Sequence, residues 1–222
     1  MTSIEQQIID AEKEGRVLWD KGPTRTRWSK LPLQMGDNAP DSELLDSTGK
    51  NIKLSSFWNG KPALLLFWRH YGCSCGRDRA TRFQEEYPKY LELGANVVVI
   101  GQGEPERAAL YAEKNKLTCP VLCDPTYQIY QAYDILEGKP SQILFDAPDE
   151  YMKCELDAIN DLFDSRKGTD RAIVDDPWQL PGEFVVDKKG VIRLVYRYQY
   201  CENWPDPRVL IAGIKEAIWE NE

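Results

Sequence analysis

The sequence predicts an α/β fold: a central mixed sheet flanked by helices, with a helical extension ahead of it and a helical segment inserted within it. Strand-like and helix-like stretches alternate between residues 63 and 134, and such alternation is the mark of parallel βαβ units. The strand-like run 63–68 ("ALLLFW") has no polar/apolar alternation, as suits a strand covered on both faces. Later, "EFVVD" and "VIRLVYRYQY" flank a short Lys-Lys-Gly turn and read as an antiparallel hairpin.

Taken in order, residues 3–19 form an amphipathic helix with Ile4, Ile8, Ala11 and Leu18 along one stripe. A polar linker broken by Pro23 and Pro32 follows, so residues 1–34 are an N-terminal helical extension and 35–222 the main domain. Two short segments surround "STGK" ahead of the buried strand 63–68. A helix comes next, with Ala80, Phe83, Tyr87 and Leu91 at helical spacing, and Pro88 is expected to kink or break it. "ANVVVIG" is a second buried strand, and "PERAALYAEKNK" a helix with Pro105 in its first turn. "CPVLCD" is a short strand and "TYQIYQAYDI" a helix. Residues 135–177 interrupt this rhythm as an insertion, in which Met152, Leu156, Ile159 and Phe163 share one helical face. After the hairpin the chain closes on a helix with Asp206 as N-cap and Pro207 at its first position. A parallel unit followed by a hairpin and a last helix is the order of a thioredoxin-like fold.

The totals narrow the function. The 222 residues suffice for one sizeable core. Lys+Arg 28 against Asp+Glu 36 leaves a net charge of −8, which disfavours nucleic acid and anionic membranes as partners. No apolar run approaches the ~20 residues of a membrane span, and the first residues lack the pattern of a secretory signal. The expected compartment is the cytoplasm. There, six cysteines point to catalytic, metal-binding or simply buried thiols rather than to a disulfide framework.

The chemistry concentrates in "RHYGCSCGRDRA", residues 69–80. It falls between a buried strand and a helix expected to begin near Gly76. A helix start presents unpaired N–H groups and positive partial charge, and Arg69, Arg77 and Arg79 add full charges. Both effects favour the thiolate, which is the nucleophilic form of cysteine. Gly72 and Gly76 leave the loop free to turn. Cys73 and Cys75 can also bond to each other if a turn brings their Cα atoms within about 4.4–6.8 Å. So small a ring would be a reactive intermediate rather than a brace. The alternative is two small residues filling a tight turn. His70 is either a proton donor and acceptor beside Cys73 or a buried histidine satisfied by hydrogen bonds. Cys119 and Cys123 flank a buried strand and suit core packing, Cys154 is incidental, and Cys201 could reach the active loop if its strand neighbours 63–68.

These residues resemble a known superfamily. "GDNAPDSELLDSTGKNIKLSSFWNGKPALLLFW" is similar to the opening of redoxin domains of the alkyl hydroperoxide reductase/thiol-specific antioxidant superfamily. "LGANVVVIGQGEPERAALYAEKNKLTCPVLCDPTYQIYQAYDI" and "LPGEFVVDKKGVIRLVYRYQ" resemble its peroxiredoxin-like middle and closing hairpin. The likeness covers about residues 36–134 and 178–218. It implies a thioredoxin-like fold, a thiol at the strand-to-helix junction that attacks a peroxide or a disulfide, and a facing proline, often cis, at Pro181. Peroxiredoxins proper carry Pro-x-x-x-Thr-x-x-Cys. Counting back from Cys73, this chain has Leu66 and His70 in those places; from Cys75 it has Trp68 and Gly72.

The expected function is therefore that of a thiol-disulfide oxidoreductase or peroxiredoxin-like antioxidant enzyme, with exchange favoured over peroxidase activity. Cys73 is the attacking thiol, Cys75 the resolving thiol and Cys201 a substitute resolver. Arg69 and Arg77 lower the thiol pKa, His70 is a proton relay, and Pro181 shapes the substrate face. No cofactor is expected. The expected partners are a small thiol, disulfide or peroxide, or a protein disulfide, with thioredoxin or glutathione as reductant and a homodimer as an option. Two alternatives stay open. One is a thiolate site for copper(I) or zinc made of Cys73, Cys75, His70 and Cys201. The other is a non-catalytic redoxin scaffold that docks partners through a helix at 150–163.

Overall fold

The computed structural model describes residues 3–143 and 175–219. The strands are β1 (Glu43–Asp46), β2 (Asn51–Lys53), β3 (Ala63–Phe67), β4 (Asn96–Gly101), β5 (Val121–Cys123), β6 (Gly182–Val186) and β7 (Ile192–Arg197). They form one sheet in the order β2-β1-β5-β4-β3-β6-β7. β3 runs parallel to β4, and β4 parallel to β5. β6 pairs antiparallel with β3 and β7 antiparallel with β6. The helices are α1 (Ile4–Lys21), α2 (Ser74–Glu92), α3 (Pro105–Lys114), α4 (Gln128–Ala132), α5 (Pro140–Ile143) and α6 (Pro207–Trp219). Among the described residues, no helix is long and apolar enough to cross a membrane.

Side chains alternate across a strand, so β3 feeds two cores. Leu64, Leu66 and Trp68 join Phe83 and Tyr90 of α2, Tyr111 of α3, and Leu210 and Ile214 of α6. Leu65 and Phe67 face the other way, onto Leu54, Trp58, Tyr130, Tyr133 and Phe184. All five β3 residues are buried. With both faces covered, no polar residue is tolerated in the run, which is why its sequence shows no alternation.

α2 is continuous through Pro88, where the sequence predicts a kink or break. Proline removes the bond to the Gln84 carbonyl, but Phe83 and Tyr90, buried on either side of it, hold both halves on the sheet. α1 buries Ala11, Gly15 and Trp19, with Ile4, Ile8 and Leu18 half-buried along the same face, as the sequence predicts. Trp19 anchors that face. It stacks on Trp178 at 4.4 Å, and the Trp178 indole donates to the Leu18 carbonyl at 3.0 Å. The helix proposed around Met152–Phe163 and Cys154 lie outside the described residues.

Candidate functional site

β3 delivers the chain to the edge of the sheet at Phe67, and residues 68–72 are buried as they turn into α2. The Cys73 N–H donates to the His70 carbonyl at 3.1 Å, and the Cys73 carbonyl accepts from Arg77 N–H at 3.3 Å. Cys73 is therefore the N-cap of α2, with extended backbone and no side-chain cap bond. The helix begins at Ser74, two residues ahead of the start expected from the sequence, so both cysteines belong to its first turn. Cys73 and Cys75 are joined by a disulfide with their Cα atoms 5.3 Å apart, within the span a disulfide tolerates. Cys73 is half-buried, whereas Cys75 is 4% exposed.

The Gly76 carbonyl accepts from the Tyr111 hydroxyl at 3.2 Å. Tyr111 stacks on Tyr71 at 4.5 Å, so the loop and α3 are locked together by ring packing.

Behind the disulfide lies a cavity of about 10 Å³, roughly the room of one water molecule. Its walls include Cys75, Cys201, Pro181, Arg69, Tyr198 and Trp204. The site thus joins the β3–α2 loop, the entry to β6 and the β7–α6 connection. Pro181 and Cys75 share its wall. No peptide bond among the described residues is cis, which corrects the cis geometry that the resemblance commonly implies at Pro181.

The three arginines differ in their surroundings. Arg69 is buried, and its guanidinium donates to the carbonyls of Gln179 at 3.1 Å and Pro177 at 2.8 Å. Arg79 is buried and paired with Glu86 at 2.8 Å and Glu183 at 3.0 Å. These two carboxylates offset its charge, so the positive potential expected from it does not reach the thiols undiminished. Arg77, in the first turn of α2, is solvent-exposed. His70 is buried, and its backbone carbonyl closes the turn at Cys73.

Cys201 is 4% exposed. Its N–H donates to the Gln142 carbonyl at 3.2 Å and its thiol to the Ile143 carbonyl at 3.4 Å. The sulfurs of Cys75 and Cys201 and a carboxylate oxygen of Glu202 all lie within 4.8 Å of one another. Among the described residues this is the only such donor group, and it holds neither Cys73 nor His70 of the predicted metal set. Sequence reasoning passed over Glu202, although it adjoins Cys201, and passed over Tyr198 and Trp204, whose place in the cavity depends on a long-range connection. Cys119 and Cys123 are core residues, as their flanking of a buried strand suggests, and burial pushes each thiol up to about 12.

A model of the AhpC/TSA family matches residues 35–195. The chain is 32% identical over 107 residues to the thiol-disulfide oxidoreductase ResA of Geobacillus kaustophilus, covering 48% of this chain and 60% of that protein. It is 29% identical over 173 residues to the chloroplastic peroxiredoxin Q of Populus jackii, covering 76% of this chain and 62% of that protein. The chain therefore spans less than two thirds of the length of these relatives. Its fold is thioredoxin-like and similar to that of the peroxidoxin BcpB from Mycobacterium tuberculosis, with a TM-score of 0.58, 16% identity, and coverage of 86% of this chain and 99% of that one. With its matching segment running from residue 35 into β7, the chain belongs to the AhpC/TSA family.

Proposed function

We propose that the protein is a thiol-dependent oxidoreductase that exchanges disulfides through the Cys73–Cys75 pair. The observation that carries this reading is the bonded pair in the first turn of α2, with the more exposed sulfur at the N-cap. A thiolate at Cys73 is stabilised by the helix end. It attacks one sulfur of a substrate disulfide and expels the other as a thiolate. Cys75 then attacks the Cys73 sulfur of the mixed disulfide, releasing the second substrate thiol and closing Cys73–Cys75. An external dithiol such as thioredoxin, or two molecules of glutathione, returns the pair to its reduced state. Arg69 and Arg77 supply positive potential, His70 holds the loop and serves as a proton relay, and Pro181 shapes the face that meets the substrate.

The same dithiol can consume a peroxide: Cys73 becomes a sulfenic acid and Cys75 displaces water to form the disulfide. Exchange is favoured because three residues before Cys73 stands His70, and three before Cys75 stands Gly72, so the hydroxyl of the peroxiredoxin motif is missing from both registers. Reduction of insulin and of glutathione disulfide, measured beside hydroperoxide consumption with a dithiol donor, separates the two activities. Exchange is expected to dominate, and Cys73→Ser to lower it more than about a hundredfold. Absence of both activities in the wild type, or full activity in Cys73→Ser, would overturn the proposal.

The Cys75, Cys201 and Glu202 donors favour a second reading, a soft-metal site in the reduced protein. Stoichiometric zinc or copper(I) in protein purified under reducing conditions, lost in Cys201→Ser, would support it. Metal-free protein under those conditions would end it.

A further inference from the structure

We infer that Cys201 is the inner member of a three-thiol relay: it attacks Cys75 within the Cys73–Cys75 disulfide and draws the bond inward. This inference rests on the disulfide-exchange reading. The Cys201 sulfur lies within 4.8 Å of the Cys75 sulfur. Both sulfurs are buried and line one cavity with Pro181, while Cys73 does not line it and is half-buried. Cys201 belongs to the β7–α6 connection rather than to a strand or helix, and closing the remaining distance takes a rotamer change that gives up the Ile143 bond and a movement of that connection.

The leaving group favours the same direction. A disulfide opens faster when the departing thiol has the more stable anion. Cys73 departs at the N-cap of α2, where the helix end stabilises negative charge. The Cys201 proton, which points to the Ile143 carbonyl, passes to the Glu202 carboxylate, whose oxygen is within 4.8 Å of both sulfurs. The step balances without an outside reagent. The Cys201–Cys75 bond forms, the Cys73–Cys75 bond breaks, the electron pair leaves on Cys73, the proton moves to Glu202, and the chain stays oxidised by two electrons. The oxidised protein thereby keeps a nucleophilic Cys73 at the surface. The reverse exchange returns the disulfide to where a reductant reaches it.

Tryptic mapping tests this. Reduced protein is oxidised with diamide, quenched in acid and alkylated with N-ethylmaleimide. A Cys73–Cys75 bond stays inside peptide 70–77, whereas a Cys75–Cys201 bond joins that peptide to 198–208. The wild type is expected to give the joined pair with Cys73 alkylated. Cys201→Ser is expected to give only the internal loop, with Cys73 protected from alkylation. Cys73→Ser is expected to form Cys75–Cys201 directly. Only the internal loop in the wild type, with Cys201 alkylated at every time point, overturns the relay. That result beside intact insulin reduction refutes the relay alone. If the wild type lacks exchange activity, the underlying reading fails first. Glu202→Gln is expected to slow appearance of the joined peptides by at least about tenfold, and an unchanged rate overturns the assignment of the proton to Glu202.

Discussion

Arg79 brings one positive charge into a region that holds two buried carboxylates. It donates to Glu183 on β6 and to Glu86 one helical turn beyond its neighbours on α2. Tyr198 donates to Glu183 at 2.7 Å and Tyr90 to Glu86 at 2.9 Å. Burial penalises the Arg79 charge, but the carboxylates more than offset this, and the guanidinium pKa rises above its ordinary value. The residue clamps the start of α2 to β6, which also carries Pro181 at its entry. Removing it leaves Glu183 without its counter-ion and Glu86 with only the more distant Arg82 at 3.9 Å, and breaking a buried pair in this way costs on the order of 3–5 kcal/mol. Arg79→Met is therefore expected to lower the urea midpoint sharply, and adding Glu183→Gln to recover part of the loss. Equal midpoints for Arg79→Met and the wild type would contradict this clamp. The three arginines of the cysteine loop are plain in the sequence. Their separate surroundings are not, because Glu183 lies more than a hundred residues from Arg79 and meets it only through the pairing of β3 with β6.

At the level of elements, the parts set by local pattern are legible and the parts set by distant packing are not. The apolar runs of β3 and β4, the β6–β7 hairpin and the Asp206–Pro207 start of α6 follow from periodicity, turn chemistry and capping. The start of α2 moved to Ser74 because the His70 carbonyl accepts from Cys73 and closes the turn early. The sequence places Cys201 near the active loop on the condition that its strand neighbours 63–68; β7 pairs with β6 instead, and Cys201 is held near Cys75 by the Gln142 and Ile143 carbonyls of α5, a contact the local pattern does not encode. Gly213 on α6 shows the same dependence. A helix interior normally gains about 1 kcal/mol from Gly→Ala. Here the added Cβ would lie 2.8 Å from the Cβ of Leu194 on β7, an atom fixed to the strand. The overpacking is expected to cost about 1–3 kcal/mol, so Gly213→Ala should destabilise, and less so in a Leu194→Ala background. A double-mutant cycle in urea measures this, and a stabilised single variant would refute it.

Across the whole molecule, the returning segment 175–181 gathers elements that are remote in sequence. Asp175 is ion-paired with Arg107 of α3, Asp176 N–H donates to Gln102 just after β4, Pro177 and Gln179 hold Arg69, Trp178 receives α1, and Pro181 closes the cavity behind the dithiol. The segment therefore couples the N-terminal extension, the sheet and the candidate site. Its weak point is charge. Burial raises the Asp176 carboxyl to about 6, although the Trp178 N–H bond and Arg69 pull the other way. Between the ordinary carboxylate value of 3.8 and about 6, the folded chain holds a proton that the unfolded chain releases. Stability from this group is therefore present at low pH and is lost as pH rises through about 6. The loss is on the order of 1–3 kcal/mol. Asp176→Asn keeps the acceptor for Trp178 N–H but cannot ionise. Its urea midpoint, relative to the wild type, is expected to rise between pH 4.5 and 7.5, and subtracting the two profiles cancels the titrating groups not coupled to Asp176. A constant difference across that range would show that Asp176 ionises without penalty and that this junction is wetter than its packing indicates.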